Sequence, residues 1–394
     1  MSPTGIIFLS WKALRHRPIR SLLLVGTIAL TIYFPRALQV FINESEEVLQ
    51  DRARSTPLLV GPRGSSTDLT LNSLYFSPQQ LPPLTHAAYH RLARQRFGTV
   101  IPIHARFRAG NAPILGTSLE YFDLRNLRIA EGHGLARLGD CVIGARLAAL
   151  QNLNPGDTIT SSPENIFDLA GVYPLRMRIT GILAPNQTPD DDTVFVDLKT
   201  TWIIEGLAHG HRELSAQQIA SQTQNTSGPV ARANASVTEF NEVTDANIAS
   251  FHFHGDTGNF PLSSAILIPD NEKQRALAMA FYQGEDSTEQ IVIPLDAVND
   301  LSRTLFATRK LALAAFRLLG LAALALASMV FLLSFRLRAR EMRTYKKIGA
   351  TRMTIVLLKA TEVSLIVMSA VILSHLAVSL TRSIAADILS RLLN

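Results

Sequence analysis

Three long apolar runs are set into a chain that otherwise alternates between short apolar and polar stretches. They cover Ile19 to Ile42, Leu311 to Phe335 and Ile355 to Leu380. Each is long enough to cross a hydrocarbon core, which takes roughly 20 helical residues. The first, "IRSLLLVGTIALTIYFPRALQVFI", is interrupted by Pro35 and Arg36, so its outer third is expected at the headgroups or against protein. The second, "LALAAFRLLGLAALALASMVFLLSF", is the clearest, with Arg317 near one end where its long side chain reaches the interface. In the third, Lys359 and Glu362 stand three residues apart, on one helical face, where opposite charges pair. That pair reads either as an interfacial anchor of helix depth or as a functional intramembrane group.

Between the first two runs the periods are those of a globular domain. "DCVIGARLAALQNLNPGDTITS" predicts a strand, a short helix, an Asn-Pro-Gly-Asp turn and a second strand. "LRMRITGILA" alternates with period two, and "TVFVDLKTTWII", "SSAILIP" and "EQIVIPL" read as further strands. Helices are predicted over Thr85 to Gln95 and Asn271 to Tyr282. Residues 215–250 are polar and lack a period, which predicts a mobile insertion.

Charge fixes how these parts face the membrane. The chain has 394 residues, a net charge of +6 and only 18% charged residues. Its cations are not spread over a soluble face, which argues against a nucleic-acid partner. They crowd beside the apolar runs instead: Lys12, Arg15, Arg17 and Arg20 precede the first, and seven cations with one acid, Glu341, lie between Ser334 and Leu358. Cationic loops stay on the cytosolic side. The N-terminus and the loop after the second run are therefore expected in the cytosol, and the long middle on the opposite side. The first run is expected to be an uncleaved anchor, being too long for a signal core and lacking an A-x-A site. Ile6 to Leu14 is amphipathic enough to lie along the interface.

Little enzymatic chemistry is present. No GxxxxGK[ST], HExxH or GxSxG occurs, so the chain carries no Walker-type nucleotide site. The one cysteine, Cys141, has no internal partner and reads as a small core residue. "GPRGSSTDL" reads as a structural turn. "TPDDDT" reads as a solvated turn, with calcium or magnesium the alternative for its three carboxylates. His209 and His211 form one H-x-H pair, His252 and His254 another. In a strand each pair shares a face, so together they are either polar surface histidines or a four-ligand zinc site, with Asp256 or Glu213 nearby.

Several stretches carry a family likeness. "ALRHRPIRSLLLVGTIAL" enters the first apolar run; "VIGARLAALQNLNPGDTI", "MRITGIL" and "TVFVDL" lie in the middle. The most specific is "RAREMRTYKKIGATRMTIVLLKATEVSLI", with Arg338, Glu341, Gly349, Ala350, Arg352 and Glu362 at its key positions. In these stretches the chain resembles the FtsX-like, MacB-type permeases of ABC transporters. The resemblance implies an α-helical membrane protein with three transmembrane helices and a large α+β periplasmic domain inserted between helices 1 and 2. The segments are then an interfacial 1–18, helix 1 at 19–42, the MacB-like domain at 43–305, helix 2 at 306–335, a cytosolic coupling loop at 336–354, helix 3 at 355–380 and an extracytoplasmic tail at 381–394. The family has four membrane helices, so this chain is expected to be a reduced variant or to take the fourth from a partner.

The resemblance also implies a bacterial inner-membrane location and a non-catalytic role. ATP and magnesium would bind a separate ATPase subunit, itself a dimer, and this chain would bind no cofactor. Further expected partners are a second permease copy or paralogue, the bilayer, and a periplasmic adaptor or lipoprotein. The coupling loop would dock on the ATPase through Arg340, Glu341, Met342, Tyr345, Ile348, Gly349, Ala350 and Arg352. Arg340 to Ile348 suits a short amphipathic helix with apolar residues every third position, ended by Gly349. The motion would serve export or extraction of a lipoprotein, lipid, peptide or small hydrophobic substrate. The competing class is an ATP-independent, membrane-anchored sensor or metal-binding protein built on the histidines.

Overall fold

The computed structural model describes residues 3–16, 18–163, 174–210, 241–284, 288–337 and 339–392. Along the chain these form α1 (Pro3–His16), α2 (Pro18–Arg54), β1 (Leu58–Pro62), α3 (Ser66–Tyr75), β2 (Leu84–Thr85), α4 (His86–Arg94), β3 (Gly98–Ile103), β4 (Arg108–Ala109), β5 (Ala112–Thr117), α5 (Glu120–Leu124), β6 (Ile129–Gly132), β7 (Asp140–Ile143), α6 (Ala145–Gln151) and β8 (Thr158–Thr160). Then come β9 (Arg176–Leu183), β10 (Val194–Asp197), α7 (Leu198–Ile204), β11 (Ala208–Gly210), β12 (Phe251–Phe253), β13 (Pro261–Leu262), β14 (Ser264–Pro269), α8 (Glu272–Phe281), β15 (Glu289–Val292), α9 (Pro294–Leu337), α10 (Ala339–Lys347) and α11 (Arg352–Leu392). They divide into a helical unit, Met1–Leu49 with Leu301–Leu389, and an α+β unit built on Gln50–Asp300.

In the helical unit, three helices are long and apolar enough to cross a membrane: Pro18–Arg54, Lys310–Leu333 and Arg352–Ile384. In the second of these, Leu318, Leu319, Leu321 and Leu324 are all exposed, as the faces of a lipid-facing helix are. Leu24, Ala327 and Ile366 form a small shared core. Polar contacts at several depths add to it. The Ser10 hydroxyl donates to Leu358 O at 3.0 Å, Tyr33 and Thr381 hydroxyls meet at 2.8 Å, and Arg382 Nε donates to Glu44 Oε1 at 3.0 Å. The helices outrun the apolar runs that predict them. Pro35 lies inside α2, and residues 381–392, expected as a tail, continue α11. Hydropathy marks where a helix meets lipid, whereas helix continuation needs only helix-compatible residues such as "NESEEVLQDRAR" and "RSIAADILSRL".

Two sheets carry the α+β unit. One is antiparallel, in the order β15-β1-β14-β3; the other is mixed, β4-β5-β10-β7-β9-β6 with β8 also on β9. The β5/β10 and β7/β9 pairs are parallel. Ile114, Cys141, Ile143, Met177, Ile179 and Val194 fill the core of the mixed sheet. Leu58, Val60, Leu92, Ala265 and Leu267 fill that of the antiparallel sheet. Full burial of each larger aliphatic side chain contributes about 1.5–3 kcal/mol. Cys141 is wholly enclosed, and burial pushes its thiol pKa up, so it behaves as a core hydrophobe.

The helices α4 and α8 lie within the predicted windows, capped by Thr85, which accepts from Ala88 N, and by Asn271, which accepts from Gln274 N. "TVFVDLKTTWII" departs from its all-strand reading. Asp197 accepts from Lys199 N and starts α7 four residues after the strand begins. α7 then serves both cores: Ile203 and Ile204 pack on the mixed sheet, Leu198 and Trp202 on the antiparallel one. Its Trp202 Nε1 donates to Pro261 O at 2.9 Å. A local cap and two-sided packing outweigh the β-branched propensity of the run. Of the predicted insertion 215–250, residues up to 240 lie outside the described set, and Ile248–Ser250 forms a 3-10 turn.

Candidate functional site

The cationic segment between α9 and α11 folds as the short helix α10 and a tight turn. Ile348 N donates to Thr344 O at 3.1 Å, Gly349 N to Lys346 O at 3.1 Å and Ala350 N to Tyr345 O at 3.0 Å. The last two bonds are the 5→2 and 6→1 pair of a Schellman stop, with Gly349 at the position that takes the left-handed conformation. Gly349 has φ +97°, and a Cβ there would meet no atom within 4 Å. Its requirement is therefore backbone conformation alone. Thr351 at once caps the next helix, accepting from Thr354 N at 3.2 Å.

The turn presents Tyr345 and Ile348 to solvent, the latter 77% exposed, beside exposed Arg343, Lys346, Lys347 and Arg352. Ala350 is half-buried. Arg340, Glu341 and Met342 lie within α10, their side chains outside the described set. Further along α11, Lys359 Nζ donates to Glu362 Oε2 at 2.6 Å, and both side chains are largely covered. An exposed apolar pair on a capped, cationic turn is suited to insertion into a protein groove.

A second charged assembly, which the sequence reading passed over, lies in the α+β unit where α2 ends. The Arg52 guanidinium grips Asp190 with two hydrogen bonds, Nη1 to Oδ2 at 2.7 Å and Nη2 to Oδ1 at 2.9 Å. It also donates to Tyr121 OH at 2.8 Å and to Leu74 O. Tyr121 OH donates in turn to Asp190 Oδ1 at 3.0 Å. Arg125 donates to Ser55 Oγ and Thr56 Oγ1, each at 2.7 Å. All of Arg52, Tyr121 and Asp190 are buried. Burial raises the Asp190 pKa, but the Arg52 charge and hydrogen bonds outweigh it and hold the carboxyl below its usual range. Burial pushes Tyr121 up to about 12, so its phenol stays a donor. Nearby, Gln50 Nε2 donates to Asn299 Oδ1 at 3.3 Å, so the residues by which α2 and α9 enter this unit are joined directly.

This overturns the solvated-turn reading of "TPDDDT". Asp190 and Asp191 are buried. Asp191 accepts from Asn186 N and Gln187 N, at 3.0 and 2.8 Å, while Arg146 Nε donates to Asp192 at 2.6 Å. The three acids point to three different protein partners, which also removes the calcium or magnesium alternative. An Asp triplet has no periodicity to reveal burial; the available signal was Arg52, one of two cations in the last turn of α2.

Of the four histidines, His209, His252 and His254 come together, with one ligand nitrogen from each within 4.8 Å of the others. His211 and Glu213 lie outside the described residues. Asp256 is not in the group; it caps the 3-10 turn Thr257–Asn259 by accepting from Gly258 N.

Residues 23–240 match the model of a family described as the MacB-like periplasmic core domain. Two solved structures align with the chain. One is the periplasmic region of MacB from Actinobacillus actinomycetemcomitans, at 12% identity and TM-score 0.34, covering 65% of this chain and 97% of that one. The other is the extracellular domain of the noncanonic ABC-type transporter YknZ from Gram-positive bacteria, at 10% identity and TM-score 0.32, covering 60% and 98%. A search of curated proteins finds no match.

Proposed function

The chain belongs to the MacB/FtsX-like family of ABC transporter permeases, and from that premise we propose that it is the membrane subunit through which a separate ATPase moves the α+β unit. ATP and magnesium bind the ATPase chain, a dimer, and this chain supplies motion without catalysis. It lies in a bacterial inner membrane with its N-terminus in the cytosol, beside a second permease copy or paralogue. The work done is export or extraction of a lipoprotein, lipid, peptide or small hydrophobic compound, with a periplasmic adaptor or lipoprotein as a further partner.

The observation that carries this reading is the capped turn with Tyr345 and Ile348 outward, set between two membrane-length helices. In this reading the turn enters a groove of the ATPase, with Glu341 and Met342 beside the apolar pair, and Arg340 and Arg352 flank it. The Lys359–Glu362 pair fixes the depth of α11. At the other end, α2 and α9 enter the α+β unit through residues held by Arg52–Asp190 and Gln50–Asn299, so a shift of either helix is delivered to a fixed point.

The test is reconstitution with the candidate ATPase. Tyr345→Ser with Ile348→Ser is expected to insert normally yet lose ATPase co-purification and stimulated hydrolysis. Arg336→Gln with Lys347→Gln is expected to keep both. If the charge variant uncouples the pair and the apolar variant does not, the segment is a topology anchor rather than a docking helix.

A further inference from the structure

We propose that His209, His252 and His254 form a binding site for a divalent transition-metal ion of the zinc class. Three imidazoles would supply ligands, and a fourth position is left for water or a group from another molecule. The proposal goes beyond transport coupling and does not depend on it.

The strand pairing builds the site. β11 and β12 run antiparallel with His209 directly opposite His252. His254 follows two residues after His252, so alternation returns it to the same face. His254 N donates to Leu207 O at 2.9 Å, which extends the pairing past the strand end. The alternate residues of β12, Phe251 and Phe253, pack against the mixed-sheet core. The three rings are thereby held on the outward face, with centroids 4.5–5.5 Å apart.

The distances and tautomer suit coordination. His254 Nε2 and His209 Nε2 are 3.2 Å apart. Two nitrogens on a tetrahedral zinc, each at 2.0–2.1 Å, lie about 3.3 Å apart. The same distance allows a hydrogen bond between two neutral rings, and a zinc titration separates the two. His252 Nδ1 donates to Ser250 O at 2.9 Å, which leaves the lone pair on Nε2. A backbone carbonyl that fixes the tautomer and orientation of a ring is the usual outer support of a metal-bound histidine. The group contains no carboxylate among the described residues, so its donors suit zinc, copper or nickel rather than calcium or magnesium. A bound ion would clip β11 to β12, and so join the chain on either side of 211–250.

The experiment uses the full-length protein in detergent, carrying a tag without histidine and stripped with chelator, titrated with Zn2+ alone. One equivalent is expected. His209→Gln, His252→Gln and His254→Gln should each weaken binding by at least the about 10–100-fold that outer-support changes cost. Gln can still hydrogen bond, and the sites are exposed or half-buried, so unchanged unfolding of the metal-free variants is expected. Binding should weaken in acid, because protons compete with the metal for the ligand nitrogens. X-ray absorption on the zinc-loaded wild type should show imidazole nitrogens, and this arm needs no variant. Equal binding by the triple variant, no binding by the wild type, or a shell without imidazole would each overturn the site. None of these outcomes touches ATPase coupling.

Discussion

Cations gather between α9 and α11 and again where α2 ends, and the two gatherings are built on opposite principles. In the segment 336–352 the described cations are exposed, and shape comes from the backbone: two bonds of a Schellman stop and a glycine at φ +97°. Within the α+β unit, Arg52 is buried and shape comes from side chains, through Asp190, Tyr121 and the Leu74 carbonyl. Exposed charge is inexpensive and non-specific, so it marks a side of the membrane. Buried charge is tolerated only with a complete set of partners, so it marks a position.

The contrast predicts a steep difference between the two gatherings. Arg52→Met leaves Asp190 buried without its cation and should lower the stability of the α+β unit by about 3–5 kcal/mol. Arg52→Met with Asp190→Leu should recover much of that loss. Urea unfolding followed by tryptophan fluorescence reads the cycle, since Trp202 lies in the core of this unit. Equal losses in the single and double variants would mean that the pair is not what holds the end of α2.

His104 sharpens the contrast with a titratable group. It is buried, and burial, with Arg106 nearby, pulls its pKa down to about 3. Glu205 Oε2 lies 3.6 Å away, beyond hydrogen-bond reach, and its other oxygen is held by Arg106 at 2.8 Å, so the ring stays neutral. Above the unfolded value near 6.5 both states are neutral and stability is at its full value. As pH falls, the unfolded chain takes up a proton that the folded state refuses until about pH 3. The expected loss is about 1.4 kcal/mol per pH unit, or about 2 kcal/mol between pH 6.5 and 5. His104→Leu should flatten this part of the profile. Neutralising Lys347 and Arg336 should leave it unchanged.

At the exposed gathering the expected effects are smaller in energy and read in function. Gly349→Val or Gly349→Ala places a side chain in left-handed backbone, a strain of roughly 1–2 kcal/mol. Because nothing crowds the site, Gly349→Asn, which tolerates that conformation, should keep ATPase stimulation while Val and Ala lose it. Loss in all three would point to steric contact with the partner instead of turn geometry. Arg336→Gln with Lys347→Gln should change stability by less than about 0.5 kcal/mol.

Much of the architecture was legible because it rests on periodicity and on local caps. The apolar runs mark the three membrane-length helices, Thr85 and Asn271 mark the starts of α4 and α8, and the spacing of Gly349 from Tyr345 marks the stop of α10. Each depends on residues within a few positions of one another, so the linear order carries the information. What tertiary packing alone settled depends on residues far apart. The "DDD" triplet is solvated or buried according to whether Arg52 arrives from 138 positions away. "TTWII" becomes helix because two sheets meet around it. His209 joins His252 and His254 because β11 pairs with β12 in one register, and a slip by one residue would turn His209 or its neighbours to the opposite face. Charge and propensity along a chain are additive and readable; the partner that makes a buried charge stable, or three rings a site, is chosen by long-range closure.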